Sequence, residues 1–356
     1  MRVVPAPITA PPSLGGIARR VDLRIRDLLE GETARWALVD PELVEPLVAL
    51  SELVLGGGKR LRPAFCYWAY VGAGGDPDDP IVTDAGAALE LLHTFALIHD
   101  DIMDGSATRR GMDTIHVRFE QRHALAGWRG EGRRLGEGVA VLVGDLAFVY
   151  ADHLLATAPA GAVAVFTELR VEVNIGQYLD LIGTARGQVA EQPARRISLY
   201  KSGKYTVERP LHMGAALAGR LDELAEPLSR YGLALGEAFQ LRDDLLGAYG
   251  DETVTGKPVG EDLRDGKPTV LVAMARDRAD GAAARLLDRY GAPDLTEEEV
   301  VDLQELLVET GAVEQVEHSI DGLVAQAVAA LDRTPLVPEA RLALADLAKY
   351  VAGRDR

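Results

Sequence analysis

Apolar residues recur at helical spacing along most of this chain, and that pattern restricts the possible folds more than any other feature. Leu89, Leu92, Ala96 and Ile98 lie in one long apolar segment with few breakers that runs into Asp100. Comparable stretches cover 139–156, 163–182, 211–218, 228–246 and 269–278, while 297–307 and 313–331 repeat the period with charged outer faces. No alternating strand pattern rivals these in length, and no Asn-Gly or Asp-Gly turn is flanked by one. Aromatic residues make up only 5%, whereas Ala, Leu, Glu and Arg recur, which favours helix over strand. Loops are expected at 72–80, at the Gly- and Arg-rich 127–138, at 183–193, and over the polar stretch 250–268 with Lys257 and Lys267. With no internal repeat and no dividing linker, the simplest organisation is a flexible N-terminal tail over 1–18 followed by one all-α domain over 19–356.

Charge excludes some classes. The chain of 356 residues has a net charge of −17 and lacks the basic balance of a general nucleic-acid binder. An anionic substrate must therefore be met by local Arg and Lys clusters or through bound cations. The single cysteine, Cys66, forms no intramolecular disulfide and suits a reducing compartment. The first 16 residues are rich in Pro and Gly and lack the apolar core of a signal peptide. Apolar runs such as 139–143 stop at Asp145, well short of the roughly 20 residues of a membrane span. The expectation is a cytoplasmic protein with no membrane span.

Two segments carry the chemistry. In His99-Asp100-Asp101-Ile102-Met103-Asp104, helical spacing stacks Asp100 and Asp104 on one face with Asp101 beside them. Three carboxylates this close repel one another unless a cation is present, and oxygen ligands of this kind suit Mg²⁺ bridging to substrate phosphates. A solvated acidic helix face is the plainer alternative, but Phe95, Ala96, Leu97 and Ile98 lead into the segment, and a surface helix would not be apolar there. Phe239-Gln240-Leu241-Arg242-Asp243-Asp244 repeats the design. Two such helices facing each other would clamp a diphosphate through Mg²⁺.

Basic groups accompany them. Gly56-Gly57-Gly58-Lys59-Arg60-Leu61-Arg62-Pro63 joins flexible backbone to cations suited to phosphate, though alone it would read as a basic surface turn. Arg109 and Arg110 are set one to two turns beyond Asp104. His93 lies seven residues before Asp100 on the same face, roughly 10 Å away by helical rise.

In this order and at these separations the motifs resemble the trans-isoprenyl diphosphate synthase (polyprenyl synthetase) family, over about 53–275. They comprise Gly57-Gly58-Lys59-Arg60-Leu61-Arg62-Pro63, Leu89-Glu90-Leu91-Leu92-His93, the first aspartate segment with Arg109-Arg110-Gly111, Gly144-Asp145, Gly176-Gln177, Lys201, 239–244, Thr255-Gly256-Lys257 and Gly266-Lys267. The wording around both segments is similar to bacterial geranylgeranyl diphosphate synthases. The resemblance implies an all-α helix bundle with a central active-site cavity, usually a homodimer. It implies that Lys59, Arg62, His93 and Arg110 bind isopentenyl diphosphate. Asp100, Asp101, Asp104, Asp243 and Asp244 would hold Mg²⁺ on an allylic diphosphate (dimethylallyl, geranyl or farnesyl). Arg109 and Lys267 would contact that substrate, together with Lys201, Ser202, Gln240 and Lys257 as the catalytic set. Two positions depart from the pattern. Gly247 stands where a third carboxylate is usual, leaving Asp251 as the candidate replacement, and Ser202 stands where Thr is common.

Product length should depend on the turn beneath the first segment, where Phe95 and Ala96 project. In the family an aromatic at the first of these positions goes with short products, so a twenty-carbon product is expected, with farnesyl or longer polyprenyl synthesis as the alternative. A terpene cyclase would need no second diphosphate pocket, and a non-catalytic synthase subunit would not need intact aspartates.

Overall fold

The computed structural model describes residues 9–187, 189–250 and 260–353. It is all-α: among these residues the only strands are Thr108–Arg109 and Met112–Asp113, paired antiparallel as a minimal hairpin. The chain divides into two compact units, one formed by 12–67 and 76–159, the other by 1–11, 68–75 and 160–356. The first aspartate segment belongs to the former and the second to the latter.

In the unit of 12–67 and 76–159, helix α1 (Pro12–Ala37) buries Leu14, Ile17, Val21, Ile25 and Leu29 at helical intervals. The tail boundary expected at residue 18 is therefore too late, because the helix begins at Pro12, a residue suited to a first turn. This helix of 26 residues escaped the periodicity reading because its stripe is one residue wide among Arg and Glu. Helix α2 (Val44–Leu55) and helix α3 (Leu61–Gly72) flank the glycine-rich loop. Helix α4 (Pro80–Asp104) is the axis of the unit and packs on α1, on α2 and on α6 (Gly132–Leu154); α5 (Ile115–Ala126) packs on α6 in turn. Helix α4 is the one described helix long and apolar enough, by length and composition, to cross a membrane. Its apolar stretch is mostly buried in the protein, as in a core helix.

In the other unit, α7 (Ala160–Arg186) and α8 (Glu191–Ile197) lead into a π-helix at Ser198–Glu208, then α9 (Arg209–Leu217) and the long α10 (Leu221–Tyr249). Short helices follow at Glu261–Asp265 (α11), Val270–Arg276 (α12) and Gly281–Leu287 (α13). They precede Glu297–Glu309 (α14), Ala312–Leu331 (α15) and Pro338–Ala352 (α16). Helix α10 is buried along most of its length and packs on the π-helix, α9, α15 and α16. The expected loops at 127–138 and 183–193 are shorter than read, since α6 starts at Gly132 and α7 runs to Arg186.

Candidate active site

Helix α4 is capped at both ends. Asp79 accepts from the Ile81 amide at 2.9 Å, and Gly105, at φ 67°, turns the chain left-handed and donates to the Asp101 and Ile102 carbonyls. Arg109 and Arg110 therefore do not continue the helix beyond Asp104, as helical counting suggested; they sit on the hairpin. Asp100, Asp101 and Asp104 occupy a helix C-terminus, where the macrodipole already disfavours negative charge. The hairpin answers this. Arg109 donates from Nε to Asp101 Oδ1 at 2.7 Å and lies 3.8 Å from Asp100 Oδ2, leaving Asp101 only 3% exposed.

Beside it lies a basic pocket. Gly57 and Gly58 adopt φ of 113° and 139°, values open in practice only to glycine. Arg60, left-handed at φ 52°, is the pin of this loop. It is 3% exposed and ion-pairs with Asp22 and Glu90, both at 2.8 Å, while donating to the Val54 carbonyl at 2.6 Å. Arg60 is thus spent on structure, a distinction the sequence did not show. Arg110, also left-handed, donates to the Gly57 carbonyl. The Lys59 ammonium and the Arg62 Nε are buried atoms. Burial, reinforced by Arg62, Arg110, Arg109 and Arg60, holds His93 well below the ordinary imidazole range. His93, Arg62 and Arg110 are therefore brought together, with Lys59 on the same loop, in a site whose charge favours an anion.

One turn below the aspartates, the Phe95 ring lies 4.5 Å from His99 and 4.9 Å from Phe148 of α6; Ala96 beside it is half-buried. Gly144 of the Gly144-Asp145 motif explains the approach, because a Cβ there would stand 2.5 Å from His99 Cδ2. Phe148 carried no periodic or charge signal and went unread.

In the second unit, the π-helix carries Lys201 and Ser202 past two glycines. A Cβ on Gly176 would meet Lys201 Cα at 2.6 Å, and one on Gly236 would meet Gly203 Cα at 2.6 Å. π-Helices are rare and often mark functional sites. Lys201 Nζ pairs with Asp180 Oδ2 at 2.6 Å, a partner the sequence did not reveal. On α10, Gln240 donates to Asp244 Oδ1 at 2.8 Å and the Val270 amide to Oδ2 at 3.2 Å. Gln240, read as a substrate contact, here braces a carboxylate. Burial above all pushes Asp244 up to about 7, with Asp262 and Asp243 adding negative charge while the Gln240 and Val270 bonds oppose the rise. Lys267 Nζ lies 3.7 Å from Asp262 and 3.9 Å from Asp265. Lys257 and Asp251 lie outside the described residues.

Among the described residues, no three His, Cys, Asp or Glu side chains already converge at metal-ligand spacing. Both segments nonetheless fit a divalent cation. The first balances its carboxylates with a guanidinium that can yield to a metal, and the second holds a buried Asp244 under the repulsion of Asp262 and Asp243, which a cation would relieve.

The polyprenyl synthetase family model matches residues 45–307. A geranylgeranyl diphosphate synthase of Mycobacterium tuberculosis is 35% identical over 280 residues, covering 77% of this chain and 75% of that one. A short chain isoprenyl diphosphate synthase of Methanothermobacter thermautotrophicus is 33% identical over 320 residues, 87% and 91% of the two chains. The crystal structure of a geranylgeranyl pyrophosphate synthase from Corynebacterium glutamicum, complexed with isoprenyl diphosphate and magnesium, superposes with a TM-score of 0.90. That protein shares 35% identity, and the match covers 96% of this chain and 99% of that one. The chain belongs to the polyprenyl synthetase family. Its fold is that of the isoprenyl synthases and its activity is that of a chain-elongating prenyltransferase.

Proposed function

We propose that the protein is a Mg²⁺-dependent, cytoplasmic, homodimeric geranylgeranyl diphosphate synthase. The observation that carries the reading is the basic pocket of Arg62, His93 and Arg110 in the same unit as Asp100, Asp101 and Asp104. That unit thus offers separate places for two diphosphates. Isopentenyl diphosphate is assigned to Lys59, Arg62, His93 and Arg110. The family resemblance assigns Arg109, Lys201, Ser202, Gln240, Lys257 and Lys267 to the allylic diphosphate. Asp100, Asp101, Asp104, Asp243 and Asp244 would hold Mg²⁺, which when bound neutralises charge on the departing diphosphate.

The allylic C–O bond breaks and its electron pair leaves with pyrophosphate. The isopentenyl double bond then forms the new C–C bond to the allylic carbon, and the adjacent carbon gives up a proton to the released pyrophosphate, which restores an alkene. Cations of the site favour the leaving group, and apolar walls exclude the water that would quench the carbocation. Phe95, packed at a tilt against Phe148 and His99, supports a floor that ends the chain at twenty carbons.

Exposed apolar residues on one face of α7 support the dimer: Val171, Ile175 and Tyr178, the last 62% exposed. Leu142 and Val149 form a similar stripe on α6. Incubating purified protein with Mg²⁺, isopentenyl diphosphate and each allylic primer, then chromatographing the dephosphorylated products, tests the reaction and its length together. A twenty-carbon alcohol is expected; no elongated product from any primer would sink the reading. Phe95→Ala should shift the product to longer chains.

A further inference from the structure

A carboxylate of α7 grips the π-helix at a spacing that a π-helix presents and an α-helix does not. Glu172 is 5% exposed and holds two cations five residues apart. Lys204 Nζ donates to Glu172 Oε1 at 2.5 Å. Arg209 donates from Nε to Oε2 at 2.6 Å and from Nη2 to Oε1 at 2.7 Å, the two-pronged geometry that fixes a guanidinium in place. On an α-helix, with 3.6 residues per turn, positions five apart point about 140° away from each other. In a π-helix the hydrogen bonds close at i+5, so the same positions stand one above the other. That spacing is present here, because the Arg209 amide donates to the Lys204 carbonyl. Arg209 Nη1 in turn reaches His212 Nδ1 at 3.2 Å.

Helix α10 holds the opposite side. Glu208, 4% exposed, accepts from Ser229 Oγ at 2.6 Å and lies 3.6 Å from Lys204 Nζ. Gly232 admits this backbone, since a Cβ there would stand 2.8 Å from Glu208 Cα. At the other end of the π-helix, α7 offers Asp180 to Lys201. Glu172 stands eight residues before Asp180, roughly 12 Å along the helix axis, so it acts on Lys201 through the backbone of the π-helix.

We infer that Glu172 is a positioning residue: by holding Lys204 and Arg209 on one carboxylate it keeps this segment in π spacing, and so keeps Lys201 and Ser202 at the allylic diphosphate. The inference rests on the assignment of Lys201 and Ser202 to that substrate and deepens it. Without the negative charge, Lys204 and Arg209 would repel each other in a mostly buried place, their side chains being 17% and 18% exposed. A turn that relaxes to α spacing rotates the residues on one side of it by about 100° against the other, which would swing Lys201 and Ser202 off their face.

Steady-state kinetics on the full chain, together with hydrogen exchange over 198–209, separates positioning from plain stability. Glu172→Gln keeps the shape and removes the charge. It should raise the KM for the allylic primer by about tenfold while the KM for isopentenyl diphosphate stays within about twofold, and the amides of 198–209 should exchange faster. Loss of folded protein alone lowers the apparent kcat and moves neither KM. Lys204→Met keeps the Glu172–Arg209 pair, so it serves if Glu172→Gln does not fold, and it should raise the primer KM by more than about twofold. A folded variant with the primer KM within about twofold of the unmodified chain would overturn the inference, and so would an equal rise in both KM values. Lys201→Met with an unchanged primer KM would instead break the assignment of Lys201. Exchange over 198–209 then decides the register by itself, and exchange in Glu172→Gln no faster than in the unmodified chain overturns it.

Discussion

His93 shows what a single residue reports about the pocket. Burial and four nearby arginines depress its pKa, so between the folded value and an unfolded value of about 6.5 the unfolded chain binds the extra proton. Its contribution to stability is therefore fully present above about pH 6.5 and is lost as pH falls below it. A diphosphate in the pocket reverses the local field and should raise the His93 pKa. Imidazole NMR signals should move to a higher midpoint on adding inorganic pyrophosphate; an unchanged midpoint would remove His93 from the anion site. Arg60 makes the complementary case. Replacing it by Met leaves Glu90 buried without its cation, which costs about 3–5 kcal/mol. The expected result is a large loss in the urea midpoint, partly recovered by adding Glu90→Gln.

At the scale of elements, the π-helix owes its position to glycines on its neighbours. Gly236→Ala would drive a methyl group into the Gly203 backbone, and overpacking of this kind costs about 1–3 kcal/mol. The π-helix should shift and carry Lys201 and Ser202 with it, so kcat should fall by more than the loss of folded protein accounts for. Arg242 ties elements together in another way. It sits inside the second aspartate segment but spends its guanidinium on Glu317 of α15, twice at 2.7 Å, and on the Ala352 carbonyl at the end of α16. Arg242→Met should lower stability by about 1.5–3 kcal/mol, the worth of a charged hydrogen-bond partner, and loosen the C-terminal helices in hydrogen exchange.

For the whole molecule, the apolar stripe on α7 belongs to the proposed dimer. Val171→Glu with Ile175→Glu places two charges where a partner's apolar surface would have to desolvate them. Sedimentation should show a dimer for the unmodified chain and a monomer for the double variant; a dimer unaffected by these charges would place the interface elsewhere.

Short-range information carried much of this protein in its sequence. The 3.6-residue period marked α4, α6, α7, α10 and α15, because burying one face of a helix imposes its spacing on the residues themselves. Three aspartates within five positions and a glycine-rich basic loop were visible for the same reason: their geometry is local. Tertiary structure alone decided which charges are spent on the fold and which remain for a ligand. Arg60 and Arg62 look alike along the chain, yet only Arg60 is locked onto Asp22 and Glu90. Arg109 folds back onto Asp101 because Gly105 ends the helix, and Gln240 turns to Asp244. Asp262 packs against Gly247 from another element. An ion pair or a carboxylate cluster depends on distance in space, and loops set that distance without leaving a period to read.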